Sequence, residues 1–327
     1  GAHAAHVGVL HLTARRREED LQSVPVTLTA FGADELQEKG ITDFTRLIQA
    51  TPGVNFDTFP KSAPRPFFRG IGSSNQGAGG DPSSVAFLDG VYLGRAAMLG
   101  IDFYDMERIE VVKGPVSALY GRNAFAGAIN YVPAKASTDR IKGRGDVTFG
   151  SDERMGVRGS VNLPIGDKLA IRLSAGYDTF DGTIDNVFGG KVGGYESTAA
   201  AWDIQWNPTE NLSIDQFGFY VDDTREQQAQ FSYDNNCGRI AGTTRPSFYC
   251  GALVETDRIA VDPRSEGSSR KGIVAGWNAA YKFDKVTASF LGARTVVEGR
   301  SEAGVFTAPG LTCQGAPPSA SAIVLRA

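Results

Sequence analysis

From residue 143 onward the side chains alternate, apolar with polar, over runs too long for an ordinary soluble sheet. Met155, Val157, Gly159, Val161, Leu163 and Ile165 interleave with Arg154, Gly156, Arg158, Ser160 and Asn162. Leu169, Ile171, Leu173, Ala175 and Tyr177 repeat the pattern against Arg172, Ser174 and Asp178. A period of two places each set on one face of a β-strand. Ten or more residues per run exceeds the usual five or six of soluble strands and suits a tilted bilayer crossing.

Alternation alone also fits a sandwich, so the connections matter. Residues 164–167, 207–211 and 283–285 read as short turns, whereas 181–196 and 222–268 are polar and poorly periodic and are expected as long loops at the opposite ends. Trp206 falls near a strand end, where an aromatic girdle would lie. In residues 212–221 the apolar phase flips midway, which predicts a bulge. About seven strands are expected before residues 301–327, which hold no strand of membrane length.

Residues 1–137 follow a different pattern. A strand over 24–31 is expected to lead, through Asp34, into a helix over 35–39 that stops at Gly40. Residues 43–50 predict a second helix with Phe44, Leu47 and Ile48 on one face, ended by Thr51-Pro52-Gly53. Two β-type runs, 108–112 and 128–132, then flank the turn residues Gly114-Pro115 and Tyr120-Gly121-Arg122-Asn123, a tight crossing. The glycine-rich run 73–84 is followed by neither Gly-Lys-Ser/Thr nor a helix start, which excludes a nucleotide site.

The order ERIEVVKGP followed by ALYGRNAFAGAINYV resembles the end of the plug domain of TonB-dependent outer-membrane receptors, and the likeness extends over most of residues 12–135. The resemblance implies an α+β plug domain (21–137) after an N-terminal segment (1–20), followed by antiparallel transmembrane β-barrel strands (138–327), about seven of an expected 22 or so. An unclosed sheet in lipid leaves edge amides unpaired at several kcal/mol each, so the chain reads as part of a longer receptor. It also implies that Val9, Leu10, His11, Leu12, Thr13 and Ala14 stand at the TonB box, the strand that TonB captures by β-addition, with His11 in a usually apolar place. Arg69 and Lys113 match the plug side of a charge cluster with barrel glutamates; Lys113 more often is Arg in the family, which forks bidentately where Lys cannot. Ser73, Ser74, Asn75, Gln76, Tyr92 and Arg95 are the candidate apical ligand contacts.

The function so implied is import of a scarce ligand across the bacterial outer membrane, with a ferric siderophore the commonest family cargo. TonB and its inner-membrane energising complex would be partners along with outer-membrane lipid, the plug and N-terminus facing the periplasm. No cofactor, metal or covalent chemistry is implied. Signalling members carry an extra small domain before the box; only a few residues precede Val9, so transport without transcriptional signalling is expected. The alternatives are a passive outer-membrane channel, against which some 130 patterned residues precede the first long strand, and a secreted all-β carbohydrate-binding or hydrolytic protein.

Composition narrows the rest. A net charge of −4 supplies no basic footprint for nucleic acid. The three histidines all lie within the first 11 residues, which argues against triad chemistry beyond them. The N-terminal ten residues lack the charged start and apolar core of an intact export signal. Of three cysteines, Cys237 and Cys250 are expected to close a loop in an oxidising compartment, two free thiols being the alternative; Cys313 has no evident partner.

Overall fold

The computed structural model describes residues 11–12, 19–20, 27–57, 64–73, 82–94, 98, 105–226, 238, 258–259, 261, 267–284, 286–301 and 325–326. Two short strands, β1 (His11–Leu12) and β2 (Glu19–Asp20), pair antiparallel. Next come β3 (Thr27–Gly32), α1 (Ala33–Glu38), α2 (Phe44–Gln49), β4 (Val54–Asp57), β5 (Arg65–Phe68), β6 (Ser84–Leu88), β7 (Val91–Leu93), β8 (Met106–Lys113), α3 (Ser117–Tyr120) and β9 (Gly127–Pro133). Five of these strands form a sheet in the order β3-β8-β9-β6-β7, while β4 and β5 form a separate pair.

Local chemistry explains most of these boundaries. Asp43 caps α2 by accepting from the Arg46 amide at 3.0 Å, which satisfies an otherwise orphaned donor, and the buried face is Phe44, Leu47 and Ile48 as the pattern requires. Helix α1 departs from expectation: it begins one residue before Asp34, behind Gly32, with no side-chain cap. Asp34 and Glu35 instead sit in its first turn, where carboxylates oppose the positive end of the helix dipole. At the crossing between β8 and β9, Gly114 and Gly121 take φ of +114° and +80°, a region closed to most side chains.

The second sheet contains seven long strands: β10 (Lys142–Phe149), β11 (Met155–Ile165), β12 (Leu169–Asn186), β13 (Lys191–Thr209), β14 (Leu212–Arg225), β16 (Ser268–Lys282) and β17 (Thr287–Ser301). They pair antiparallel in chain order; short β15 (Arg258–Ile259) lies parallel on β12, and β18 (Leu325–Arg326) pairs with β17. The short turns at 166–168 and 210–211 and the short connection between β16 and β17 fall at one end, as expected.

Which face is buried decides the kind of sheet. The apolar face points outward: Leu173 is 46%, Trp277 48% and Phe290 58% exposed. The polar face points inward: Asn162, Asp178, Asp223 and Arg270 are each at most 3% exposed. A soluble sandwich buries its apolar face, and so long an outward band is stable only against lipid. Trp206, Tyr281 and Phe283 stand outward near the short turns, where an interfacial girdle belongs.

Three expectations for this sheet are corrected. Residues 181–196 are an extended hairpin, because β12 and β13 continue to a tight turn at 187–190; the register shift between Gly182 and Ile184 is what broke the period. Strand β13 likewise runs through Pro208 to Thr209, leaving only 210–211 as the turn. No bulge interrupts β14: its pairing with β16 is continuous from Leu212 to Arg225, and the register shift lies against β13 between Trp206 and Thr209. The phase flip has another cause. Leu212 and Ile214 point to the lipid side, whereas Phe217, Phe219 and Val221 point inward into one apolar cluster with Leu88, Ile129 and Tyr131 of the first sheet. The inner wall turns apolar where it meets the first sheet.

Candidate functional site

The first sheet is seated inside the curve of the second, and the contacts between them fall into apolar and ionic groups. The apolar seat is formed by Phe217, Phe219, Val221 and Val274. Met98 completes it: a Cβ added at Gly272 would stand 3.0 Å from the Met98 sulfur, so glycine there allows the close approach.

The principal ionic contact is Lys135, two residues beyond β9. Its ammonium lies 2.5 Å from Asp89, 3.1 Å from Asp203 and 2.7 Å from Asp215, and 5.1 Å from the centre of the Phe217 ring. Burial alone would lower the Lys135 pKa, but the three surrounding carboxylates outweigh it and hold the group well above its ordinary value. Asp203 also accepts from the Ala136 amide at 2.7 Å, so chain and side chain are gripped together. Nearby, Arg172 of β12 forks onto both oxygens of Asp105 at 2.6 Å each. Asn162 accepts from the Ser137 amide and donates to the carbonyls of Ser137 and Arg140.

None of these anchors was singled out from the sequence. Nothing local in the sequence shows that Asp203 and Asp215 converge on a lysine 68 and 80 residues away.

Arg69 and Lys113, which were singled out, come together at the opposite end of β8. Arg69 donates to Thr27 Oγ1 at 2.8 Å; Lys113 donates to Thr29 Oγ1 at 2.8 Å and to the Pro52 carbonyl at 3.0 Å. Burial, with the neighbouring Arg69 charge, lowers the Lys113 pKa. Among the described residues neither cation has a carboxylate partner. Ser73 follows the β4–β5 pair, and Tyr92 of β7 packs its ring 5.7 Å from Phe87. Ser74, Asn75, Gln76 and Arg95 lie outside the described residues, as do Val9, Leu10, Thr13, Ala14, Cys237, Cys250 and Cys313. His11 and Leu12 are the two residues of β1.

Comparison with known proteins points one way. The family profile described as "TonB-dependent Receptor Plug Domain" matches residues 20–128. The vitamin B12 transporter BtuB of Vibrio vulnificus is 30% identical over 196 residues, covering 57% of this chain and 30% of that protein. The catecholate siderophore receptor Fiu of Escherichia coli K12 is 30% identical over 182 residues, covering 53% of this chain and 22% of that protein. The chain therefore spans less than a third of the length of these curated relatives, which are transporters and receptors rather than enzymes. In fold, it is similar to the ferric yersiniabactin uptake receptor FyuA of Yersinia pestis, with TM-score 0.71 and 17% identity over 86% of this chain and 42% of that one.

Proposed function

We propose, from the premise that this chain is the plug domain and early β-barrel wall of a TonB-dependent outer-membrane receptor, that it serves the energised import of a ferric siderophore. The observation that carries the reading is the seating of a folded plug against the inner wall of an apolar-out, polar-in sheet. A passive channel has no use for a folded domain packed against its wall. A secreted sugar-binding or hydrolytic β-protein would bury the apolar face that here points outward.

Siderophore is put ahead of vitamin B12 as cargo on the likeness to Fiu, a catecholate siderophore receptor, with the fold of the ferric yersiniabactin receptor FyuA beside it. In this reading residues 1–20 carry the TonB box (Val9, Leu10, His11, Leu12, Thr13, Ala14), residues 21–137 form the plug and residues 138–327 the barrel wall. The plug and N-terminus face the periplasm, on the side of the short turns. Ser73, Ser74, Asn75, Gln76, Tyr92 and Arg95 contact ligand from the plug, and barrel glutamates complete the charge cluster at Arg69 and Lys113. The β1–β2 ladder supports the box assignment, since its residues already adopt the extended backbone that strand addition needs.

Leu12→Pro in the full-length receptor tests this. Proline removes a backbone donor and fixes φ, so capture by TonB is lost while the ligand loops are untouched. Ligand binding to intact cells should stay near normal and uptake should vanish. Retained uptake would sink both the box assignment and the energised mechanism.

A further inference from the structure

Among the described residues, one cation stands inside the apolar band of the outward face: Arg294 of β17. Its neighbours fix its direction. Leu291 lies against the plug turn at Gly90, Ala293 stands over Gly276 where Phe217 also lies, and Val297 packs on the inner apolar cluster. Odd-numbered residues of this strand therefore face inward and even-numbered ones outward, where Phe290 stacks on Trp277 with ring centres 4.9 Å apart. Arg294 is exposed on that side. Ala275 across the ladder and Gly292 two residues back are too small to cover its stem.

Register gives its depth. Ala288 of β17 pairs with Tyr281 in the girdle near the short turns. Glu298 pairs with Lys271, which binds Asp222 at 2.9 Å and marks the polar boundary on the far side. Arg294 stands six residues from the first level and four from the second, so it lies about 15 Å beyond the girdle in a band about 25 Å tall. A guanidinium at that depth is strongly unfavourable unless its charge is met. Among the described residues Arg294 has no carboxylate partner, whereas Lys271 nearby is held by Asp222.

We infer that Arg294 anchors a phosphorylated glycolipid of the outer leaflet, its guanidinium on a phosphate and an acyl chain lying along Ala275, Gly292 and the Trp277–Phe290 pair. This rests on the placement above, with the short turns toward the periplasm, which puts Arg294 in the outer half of the bilayer. The long stem can carry the charge up to the headgroup layer while its methylenes stay in hydrocarbon. The anions met there are phosphates, onto which a guanidinium forks as it does onto a carboxylate. In a bacterial outer membrane the phosphates of that leaflet belong to glycolipid.

The test uses the full-length receptor, purified in detergent and stripped of lipid. It is offered diphosphoryl lipid A, dephosphorylated lipid A or phosphatidylglycerol, with inorganic phosphate as competitor, and retained lipids are counted by native mass spectrometry. The parent should retain lipid A in preference to its dephosphorylated form, undisturbed by free phosphate. Arg294→Gln should weaken that retention on the order of tenfold and remove the preference, and Arg294→Lys should recover part of it. Equal retention of the two lipid A forms by the parent overturns the site without any variant, as does displacement by inorganic phosphate. Unchanged retention in Arg294→Gln overturns it too; a lower thermal midpoint of that variant in lipid-free detergent would then assign the guanidinium to a carboxylate of the neighbouring strand. A preference for phosphatidylglycerol over lipid A, lost in Arg294→Gln, would put Arg294 in the inner leaflet and overturn both the glycolipid and the orientation. Import can fail separately: uptake surviving Leu12→Pro refutes energised import and leaves lipid retention untouched.

Discussion

Lys135, at the end of the plug, places its ammonium 3.1 Å from the Asp203 carboxylate of the barrel wall, with Asp215 at 2.7 Å and Asp89 at 2.5 Å completing the cage. Three acids around one cation make the lysine the member whose loss costs most, because its removal leaves carboxylates facing one another without compensation. The side chain is 32% exposed, so solvent screens part of the attraction. Lys135→Met in the full-length receptor should therefore destabilise by about 1–3 kcal/mol, read as a lower thermal midpoint in detergent, and Lys135→Arg should recover part of it. An unchanged midpoint in the Met variant would show that the cage contributes nothing net.

The same lysine has a pH signature. Its folded pKa is raised above the ordinary 10.5, so its stabilisation is fully present below 10.5 and is lost as pH rises through the folded value. The stability gap between the parent and Lys135→Met should be present at pH 10.5 and close as the pH rises above it. Thermal melts of both proteins across the alkaline range check this, and a gap that closes before 10.5 contradicts the assignment.

Arg69 and Lys113 make the opposite case, two cations side by side with the lysine pKa depressed. If barrel glutamates complete the cluster as proposed, Lys113→Met destabilises the full-length receptor, because acids drawn to the pair are left with one cation fewer. A stabilised variant would mean that Arg69 and Lys113 only repel each other and that the cluster is misassigned.

The outward face predicts its own asymmetry. Leu173→Arg, toward the middle of the apolar band, should cost about 2–4 kcal/mol in urea unfolding from lipid bilayers. Ser160→Arg, on the inward face of β11, should stay within about 0.5 kcal/mol. Equal costs at the two positions would be incompatible with an apolar-out barrel wall.

Cys237 and Cys250 are proposed to close a loop between β14 and β16. Peptide mapping without reductant, on receptor folded in the periplasm, should recover the two in one linked product. Recovery of both as free thiols would remove the loop closure.

Much of this architecture was legible in residue order. Alternation over 155–165 and 169–177 specified long strands and their number, because a period of two is a property of the strand itself. The α2 face of Phe44, Leu47 and Ile48 was equally local, and the Gly-Pro crossing located Lys113 at the end of its strand. Periodicity states which residues share a face, but not which medium that face meets. Only the tertiary structure showed Leu173 meeting the lipid side and Asp178 buried within. It also showed that the phase flip at Phe217 marks the wall passing from water to plug rather than a bulge. The anchors depended on it most, for Asp89 lies in the β6–β7 turn of the first sheet while Asp203 and Asp215 stand on the paired strands β13 and β14 of the second. A salt bridge is a condition on distance, and only the seating of one sheet against the other brings Asp203 and Asp215 within reach of Lys135.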